Sequence, residues 1–472
     1  MSETSESPWE PQPAGAAWIA KAVAHFRTRH PDVSTLESLL REQTGTRIAD
    51  WVDHLIVRDL TGIEAAGFVK GSDDWYEHPG ALLPPVRQGS LERMLLRVDS
   101  VSDFFIANCH RFELTVTGAP QDLLRTALFD RGSADAEFGV IEHHGCNIRR
   151  PPASLSTQRK LEIREVHERL RHRRRRFDSD AEAGRYTTEL IRQAIDQIGR
   201  DLTCDLFFEG ERAYWQARNR AGRIQYMRQQ AIGVGWGNHD HHTYRSSRTN
   251  FQSLIELLEL MGFQCRERFY AGRDAGWGAQ VIEQPVTGVV IFADVDLSPD
   301  EIAGDFSHHP LAARSELGTI GLWCALHGEA LYEAGMHHLE CQFDYDGARK
   351  QLEALGVGSM SPFTDFPFLR QCFTEGERWS VDRNRIDRVL SAGLITREQA
   401  ERFAGEGAVG SHMEILERND GYRGFNQTGI NDIIRKTDPR FLTTEISRSR
   451  RAGTGSESSA YPEQRPDAGA FG

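Results

Sequence analysis

The sequence lacks any apolar run long enough to cross a membrane. Its first residues, MSETSESPWEPQPAG, also lack the basic-then-apolar order of a secretory signal. We therefore expect a cytoplasmic protein with no membrane partner. Cysteine is scarce as well, since the seven cysteines among 472 residues are scattered and none forms a CxxC pair. This usage indicates reduced thiols rather than a disulfide framework or a zinc knuckle.

Basic charge is not in excess either. The chain has 56 Lys and Arg residues against 69 Asp and Glu residues, a formal net charge of -13, which gives no general attraction to nucleic acid. The one dense basic run, RHRRRRF at 171–177, is followed by the acidic stretch DSDAEAG. Such a run is typical of a solvated helix face, so we predict no nucleic-acid partner.

The distribution of glycine, proline, serine and charge predicts five segments along the chain. A tail with a leading helix occupies 1–35, and a disordered tail occupies 447–472. Between them we predict a first globular module at 36–152, a helical connector at 153–231 and a second globular module at 232–446. The connector shows apolar residues at helical spacing, as in YTTELIRQAIDQI.

The second module, which we expect to be the catalytic one from the resemblance described below, has a regular order of strand-like and helical patterns. A short strand at 241–246 precedes the amphipathic helix TNFQSLIELLELMGF, and three strand-like runs follow, which gives the order β-α-β-β-β. A second, looser unit begins at Met336, with a helix at GARKQLEALGV and a last strand at GSHMEILERNDG. Two such units side by side predict an α+β fold in which a curved half-barrel forms a cup for a metal.

Several motifs in this module resemble one known family. They are the H-x3-R run at His241–Arg245, the helix ending in LMGF, the run RFYAG, the pair His338–Leu339 and a terminal strand with I-L-E before a glycine. Together they resemble the 2-oxoadipate dioxygenase/decarboxylase family, also called hydroxyglutarate synthase, over residues 235–435. The resemblance implies a vicinal-oxygen-chelate-like fold. It also implies that His241, His338 and Glu417 hold Fe(II) and that Arg245 grips a substrate carboxylate.

The sequence leaves an alternative for the first histidine. His242 follows His241 directly, and a one-residue change of register would send the other side chain into the cup. Only His241 keeps the three-residue spacing to Arg245, and we prefer it for that reason. The second strand departs from the H-L-T-P-R of the family, because the chain reads H-L-E-C-Q from His338.

The carboxylate ligand also has alternatives. The family's last strand has the form F-G-E-I-E-x-x-G, and the chain has MEILE with one extra residue before Gly421. The motif favours Glu417, with Glu414 on the same strand as a competitor. Glu283, at the end of AQVIE, is a third candidate.

The N-terminal module repeats part of the pattern. DHLIVR at 53–58 repeats D-H-x-x-x-R, CHRFELTV places His110 where His338 would lie, and FGVIEHHG places Glu142 at the ligand position. From His54 to Glu142 there are only 89 residues, against 177 between the corresponding C-terminal positions. We therefore predict a reduced copy with a structural role, and leave open whether His54, His110 and Glu142 hold a metal.

Two neutral imidazoles and one carboxylate on one side of a metal leave the opposite side free for substrate and O2, as in non-haem Fe(II) oxygenases. By resemblance, the activity would be the conversion of 2-oxoadipate to 2-hydroxyglutarate and CO2, a step of lysine breakdown. The partners would be a small 2-oxo acid and O2. Two alternatives stay open: a glyoxalase-like isomerase or lyase acting on another small molecule, and a non-catalytic small-molecule-binding protein.

Overall fold

The computed structural model of the protein describes residues 9–149, 151–426 and 438–440. The predicted tail at 447–472 lies outside these residues. Among the described residues, no helix is both long and apolar enough to cross a membrane. The chain folds into two curled sheets joined by helices, which confirms the α+β class expected from the sequence. The predicted segment boundaries stay predictions.

The N-terminal part contains three helices, a short 3-10 turn at Ile48–Trp51 and eight strands. The helices are α1 (Pro13–Arg29), α2 (Pro31–Thr44) and α3 (Val101–Asn108). The strands are β1 (Val52–Val57), β2 (Val69–Lys70), β3 (Trp75–Glu77), β4 (Val86–Gln88), β5 (Glu92–Arg97), β6 (Leu114–Thr117), β7 (Leu124–Phe129) and β8 (Ala136–His143). They form one sheet in the order β2-β3-β4-β1-β5-β8-β7-β6.

Four helices connect the two sheets, as the sequence predicts. They are α4 (Thr157–Arg171), α5 (Asp180–Ile198), α6 (Arg200–Ala217) and α7 (Arg220–Gln230). Three of them begin at a side chain that accepts a backbone N–H of the first turn, namely Ser156, Ser179 and Asn219. Such caps satisfy N–H groups that have no partner within the helix.

The basic run 171–177 is not a helix face, because α4 ends at Arg171, although Arg171, His172, Arg174 and Arg176 are exposed as expected. Arg171 ends α4, and the chain then turns inward, so that the Arg173 side chain is fully buried. Its guanidinium lies 3.0 Å from Glu211 and donates to the carbonyl oxygens of Leu331 and Tyr332. The paired carboxylate and the carbonyl groups replace water around the buried charge.

The second sheet contains the remaining nine strands. They are β9 (His239–Arg245), β10 (Gln264–Tyr270), β11 (Trp277–Glu283), β12 (Val290–Asp296), β13 (His338–Gln342), β14 (Thr364–Phe366), β15 (Leu369–Phe373), β16 (Glu377–Trp379) and β17 (Ala408–Arg418). The helices are α8 (Phe251–Leu260), α9 (Pro299–Ile302), α10 (Thr319–His327), α11 (Tyr345–Ala354), α12 (Arg383–Ser391) and α13 (Arg397–Glu406), with a π-helical turn at Ala330–Ala334. The strand order is β10-β11-β12-β9-β13-β17-β15-β14, and β16 pairs with β17.

The two sheets share one topology. In both, the first strand lies beside a parallel strand on one side and an antiparallel strand on the other, as in β4-β1-β5 and β12-β9-β13. The next pair, β5-β8 or β13-β17, is parallel in both. Helix α8 follows β9, whereas only turns follow β1 before β2. The predicted tandem fold with a reduced N-terminal copy is therefore confirmed.

Helix α8 shows how the sequence fixes the first strand of the second sheet. Its residues Phe251, Leu254, Ile255 and Leu258 recur at the spacing of one helical face and are all buried in the main core. Tyr244 of β9 belongs to the same core. Because side chains alternate along a strand, the neighbours of Tyr244 turn toward the concave face, and that face contains the candidate site.

Candidate metal centre

Three adjacent strands bring two histidines and a carboxylate together on the concave face of the second sheet. Glu340 of β13 lies opposite His241 of β9 and beside Glu414 of β17. His338 is two residues before Glu340 on β13, so its side chain lies on the same face of the sheet. One ligand atom from each of His241, His338 and Glu414 can be chosen so that all lie within 4.8 Å of one another. His338 Nε2 is 3.2 Å from Glu414 Oε2, and all three residues are buried.

The cavity above these side chains is small and has aromatic walls. It measures about 50 Å³, which gives room for an ion and a few waters. The His241 ring lies 4.5 Å from that of Phe292 and 5.2 Å from that of Phe425, measured between centroids. Four further aromatic side chains line the cavity, namely Phe269, Trp277, Phe363 and Phe373. An organic substrate therefore requires displacement of a wall residue.

A buried ion pair orients His241. Its Nδ1 faces Asp240 Oδ1 at 3.2 Å, and Arg418 holds the same carboxylate through contacts of 2.9 and 3.0 Å. This leaves His241 Nε2 directed into the cup, 3.0 Å from Glu340 Oε2. A carboxylate behind an imidazole is the usual arrangement that fixes the ring of a metal-binding histidine.

Burial controls the charge of the site. It lowers the pKa of His241 and lowers that of His338 well below its ordinary value, so both imidazoles are neutral. Burial also raises the pKa of Glu414 to about 7. The pKa of Glu340 is raised well above its ordinary value by burial and then by the neighbouring Glu414. Neutral imidazoles are ready to bind a metal, and a cation would favour ionised carboxylates here.

Several polar atoms in the cup have no hydrogen-bond partner. Among the described residues these include Nδ1 of His338 and Oε1 of Glu340, whose Oε2 lies 3.0 Å from His241 Nε2. A buried polar atom without a partner costs about 1–3 kcal/mol. A divalent cation beside these groups would relieve that cost for the carboxylate, and imidazole with carboxylate is a donor set suited to iron or zinc. The residues present therefore fit a transition metal.

Glu417 does not lie with these residues, contrary to the sequence expectation. It is three positions from Glu414 on one strand, and an odd offset places it on the opposite face of the sheet. Its carboxylate accepts the N–H of Tyr345, the first residue of α11, at 2.8 Å, and the side-chain amide of Asn419 at 3.0 Å. Glu417 is thus a helix-capping residue, and Glu414 occupies the place expected for it.

Glu142 has the same structural position in the first sheet. It accepts the N–H of Val101, the first residue of α3, and lies 3.5 Å from Arg125. The motif was therefore right that Glu142 and Glu417 occupy corresponding positions in the two sheets. What the two residues share is a negative charge at a helix N-terminus, where the helix dipole is favourable.

The remaining alternatives lie away from the cup. His242 points to the opposite face from His241, where its Nε2 is 3.4 Å from Arg212 and its ring packs beside Phe208. Glu283, at the end of β11, forms ion pairs with Arg423 at 2.8 Å and Arg266 at 3.4 Å. Neither side chain approaches the group around His338.

The N-terminal set is not assembled. His54 lies opposite Leu95, as His241 lies opposite Glu340, so the two histidines do correspond. The same registers place Arg93 at the position of His338 and Gly139 at that of Glu414. His110 is exposed in the turn after α3 and on no strand, so its predicted placement was wrong.

Arg245 lies on the same face of β9 as His241 and is fully buried. Its Nε and Nη1 have no hydrogen-bond partner among the described residues, and neither does Oδ1 of the neighbouring Asp294. Burial raises the pKa of Asp294 well above its ordinary value, so that side chain holds its proton. The guanidinium therefore has N–H groups left for a ligand.

The sequence analysis missed Glu340 and Asp240. Glu340 could have been found, because it is two residues from His338 on a strand and must share its face. Asp240 could not have been found from the sequence, because it belongs to a β-bulge between His239 and His241. Only this bulge explains why the Asp240 side chain lies beside the His241 ring.

We expect His54→Ala and Glu142→Gln, made together, to leave the metal content of the purified protein unchanged. Neither residue approaches the cup, and the first sheet has no counterpart of His338 or Glu414. Metal analysis after anaerobic purification measures this, with His338→Ala as the variant that should lose metal. Loss of one metal equivalent from the N-terminal variant would contradict the expectation.

No family model and no curated protein matches the chain. Solved structures with partial likeness include methylmalonyl-CoA epimerase from Mycobacterium tuberculosis, with 14% identity, 39% of this chain and 89% of that chain covered, and a TM-score of 0.23. A mutant of 4-hydroxymandelate synthase from Streptomyces coelicolor has 11% identity, coverages of 75% and 97%, and a TM-score of 0.27. An uncharacterized Shigella flexneri protein that includes domain DUF1338 has 12% identity, coverages of 61% and 86%, and a TM-score of 0.23. TM-scores this low transfer no function, so the chemistry of the site has to be deduced from its own side chains.

Proposed function

We propose that the protein is a non-haem Fe(II)-dependent oxygenase that oxidatively decarboxylates a 2-oxo acid. The sequence resemblance favours 2-oxoadipate as substrate and 2-hydroxyglutarate as product. The observation that carries the proposal is the buried group of His241, His338 and Glu414, because two neutral imidazoles and one carboxylate are the ligand set of such oxygenases. Glu414 takes the ligand role that the motif assigned to Glu417.

The surrounding residues suit this chemistry. When bound to the group, Fe(II) supplies a Lewis acid and a template for O2 and the 2-oxo acid. Asp240 keeps the His241 ring in one orientation. Glu340 adds a carboxyl group that can hold a proton beside the substrate. The rings of Phe292 and Phe425 exclude water from the reacting atoms.

The proposed test is an oxygen-electrode screen of 2-oxo acids with the anaerobically purified protein and added Fe(II). We expect O2 consumption with release of one CO2 for each O2. Metal-dependent turnover of a small molecule without O2 consumption would instead support an isomerase or lyase. Tight binding of a small molecule without turnover would support a binding protein.

Arg245 is proposed to bind a second carboxylate of the substrate. Histidine and arginine four residues apart on a strand share one face, with Cα atoms roughly 13 Å apart. The arginine side chain can lean back over part of that distance, and its Nε and Nη1 each have an N–H group that can donate to a carboxylate oxygen. This geometry fits a dicarboxylate whose 2-oxo acid end lies at the metal.

We expect Arg245→Lys to lower kcat/KM for a dicarboxylic 2-oxo acid at least tenfold, about 1.4 kcal/mol, because lysine keeps the charge and loses the planar fork. The value for a monocarboxylic 2-oxo acid of equal length should change little. Steady-state kinetics with both substrates measure the difference. Equal losses for both would mean that Arg245 supports the fold or the metal-bound end.

A further inference from the structure

One wall of the metal cup is not part of the sheet. Residues 419–426 follow β17, and we call this segment the strap. Its last two residues, Phe425 and Asn426, line the cup, and the Phe425 ring lies 5.2 Å from that of His241 and 4.4 Å from that of Phe292. Four other aromatic residues of the wall lie on the strands β10, β11, β12 and β15. The strap can therefore move without separating these strands.

The backbone of the strap is bonded to the N-terminal part of the chain. The N–H of Gln12, just before α1, donates to the carbonyl oxygen of Asp420 at 2.7 Å. The N–H of Leu82, in the loop before β4, donates to that of Gly421 at 2.9 Å. Asp420 and Gly421 have φ angles of 52° and 62°, a left-handed conformation that is uncommon for residues other than glycine. The two hydrogen bonds thus hold a tight turn at the start of the strap.

Trp9 holds the next residues of the strap. Its indole N–H donates to Glu267 Oε2 at 2.8 Å, which fixes the ring beside β10. The Arg423 guanidinium lies 5.0 Å from the ring centroid, and the ring packs against the buried cluster that contains Tyr422. A Cβ added to Gly424 would lie 2.7 Å from the Cβ of Trp9. One N-terminal side chain therefore contacts the strap directly before Phe425.

The second sheet also contacts the strap. Arg418 donates to the carbonyl oxygens of Tyr422 and Gly424, and Arg423 pairs with Glu283. Arg418 also pairs with Asp240, which orients His241, so a change at Arg418 affects the metal group directly. The contacts from the N-terminal part can be changed without touching that group.

We infer that the N-terminal part of the chain positions the strap so that Phe425 closes the metal cup, and that release of these contacts opens the cup. The closed cavity of about 50 Å³ is too small for an organic substrate, so the strap has to open before one enters. This gives a role to a module that has no ligand set of its own. The inference rests on the metal group of the proposed function and not on its reaction.

A strap that only controls access has a distinct kinetic signature. Binding equilibria depend on the difference in affinity between two conformations, so a wall that opens more often changes the rates of metal entry and exit by the same factor. The dissociation constant then stays the same. A residue that merely supports the metal ligands would change the dissociation constant instead.

The variants change the contact with Trp9 from both sides. Trp9→Ala removes the ring, and Gly424→Ala places a methyl group against Trp9. Trp9→Phe keeps an aromatic ring beside the strap and is the conservative variant. Trp18→Ala is the matched control, because the Trp18 indole donates to the carbonyl oxygen of Thr61 within the N-terminal part.

The first measurement is hydrogen exchange of residues 419–426 in the full-length, metal-free protein. We expect exchange to be faster by about tenfold or more in Trp9→Ala and Gly424→Ala, because the strap opens locally without global unfolding. Trp9→Phe should lie in between, and Trp18→Ala should match the unchanged protein. Unchanged exchange of the strap in Trp9→Ala, or equal acceleration in Trp18→Ala, would overturn the inference.

The second measurement gives the rates of Zn²⁺ binding and of Zn²⁺ release to a chelator. In Trp9→Ala we expect both rates to rise about tenfold, with a dissociation constant within about threefold of that of the unchanged protein. Unchanged rates, or a weaker affinity with an unchanged entry rate, would contradict closure of the cup by the strap. Failure of the unchanged protein to bind Zn²⁺ would count against the proposed metal centre, and hydrogen exchange would still decide whether the N-terminal part positions the strap.

Discussion

We expect Glu414→Gln to abolish metal binding and turnover, whereas the same change at Glu417 should leave both intact. Glu414 shares the concave face with His241 and His338, and its carboxylate lies 3.2 Å from the second imidazole. Loss of the Glu414 carboxylate should lower metal affinity by more than roughly 100-fold, which is more than the loss of a residue that only orients a metal ligand. Glu417→Gln removes a charge at the start of α11 and a 3.8 Å contact with Arg47, and the lost helix-terminal charge costs about 0.3–1 kcal/mol of stability.

This pair is a matched test because both residues lie on β17 and the substitution is isosteric. Metal titration under anaerobic conditions gives the affinity, and thermal unfolding shows whether each variant is folded. If Glu417→Gln lost the metal and Glu414→Gln kept it, the face assignment of β17 would be wrong. Retention of full affinity by both variants would exclude both carboxylates as ligands.

The largest effect on stability is expected for Arg418→Met. The side chains of Arg418 and Asp240 form a buried ion pair, and Arg418 also donates to the carbonyl oxygens of Tyr422 and Gly424. Without Arg418 the Asp240 carboxylate is buried and unpaired, which costs about 3–5 kcal/mol of unfolding free energy. Because Asp240 also orients His241, metal affinity should fall about 10–100-fold.

Denaturant unfolding of the metal-free protein separates the stability effect from the metal effect. Arg370→Met is the control, because its partner Asp346 is exposed and such a pair contributes within about 1 kcal/mol. The double change Asp240→Asn with Arg418→Met should recover part of the lost stability, since no unpaired charge is then left. A loss at Arg418 no greater than that at Arg370 would contradict the assigned role of the ion pair.

The sequence predicted the fold and the two histidines because their signals are local. Strand alternation and the helix between β9 and β10 give the order of elements, His241 lies within β9, and His338 begins β13. The choice between Glu414 and Glu417 depends on register, which is set by pairing with β13 from far along the chain. The motif could relate Glu417 to Glu142 but could not reveal that both cap helices.

His110 shows a different limit of sequence reasoning. The strand that corresponds to β13 is β5, whose sequence ERMLLR has no histidine, so the motif was matched to the next histidine along the chain. That residue follows α3, a short helix whose eight residues give little periodicity to detect. Because β5 has no metal-ligand residue at this position, its sequence gives no motif to match. Only the strand topology identifies Arg93 as the counterpart of His338.

Because the topology is duplicated, comparing the two modules shows which features belong to the shared architecture and which occur only with the candidate metal site. Asp53 and Asp240 both occupy a bulge beside the first-strand histidine, and Glu142 and Glu417 both cap an earlier helix of their own module, so the first module has these features without the ligand set. Gly139 shows that the backbone of the first module also restricts the position that corresponds to Glu414. A Cβ there would lie 2.4 Å from the carbonyl oxygen of Ala127, so no carboxylate can return unless β7 and β8 move apart. The first module thus has Arg93 and Gly139 at the positions of His338 and Glu414, and its backbone leaves no room for a carboxylate at the second of these positions.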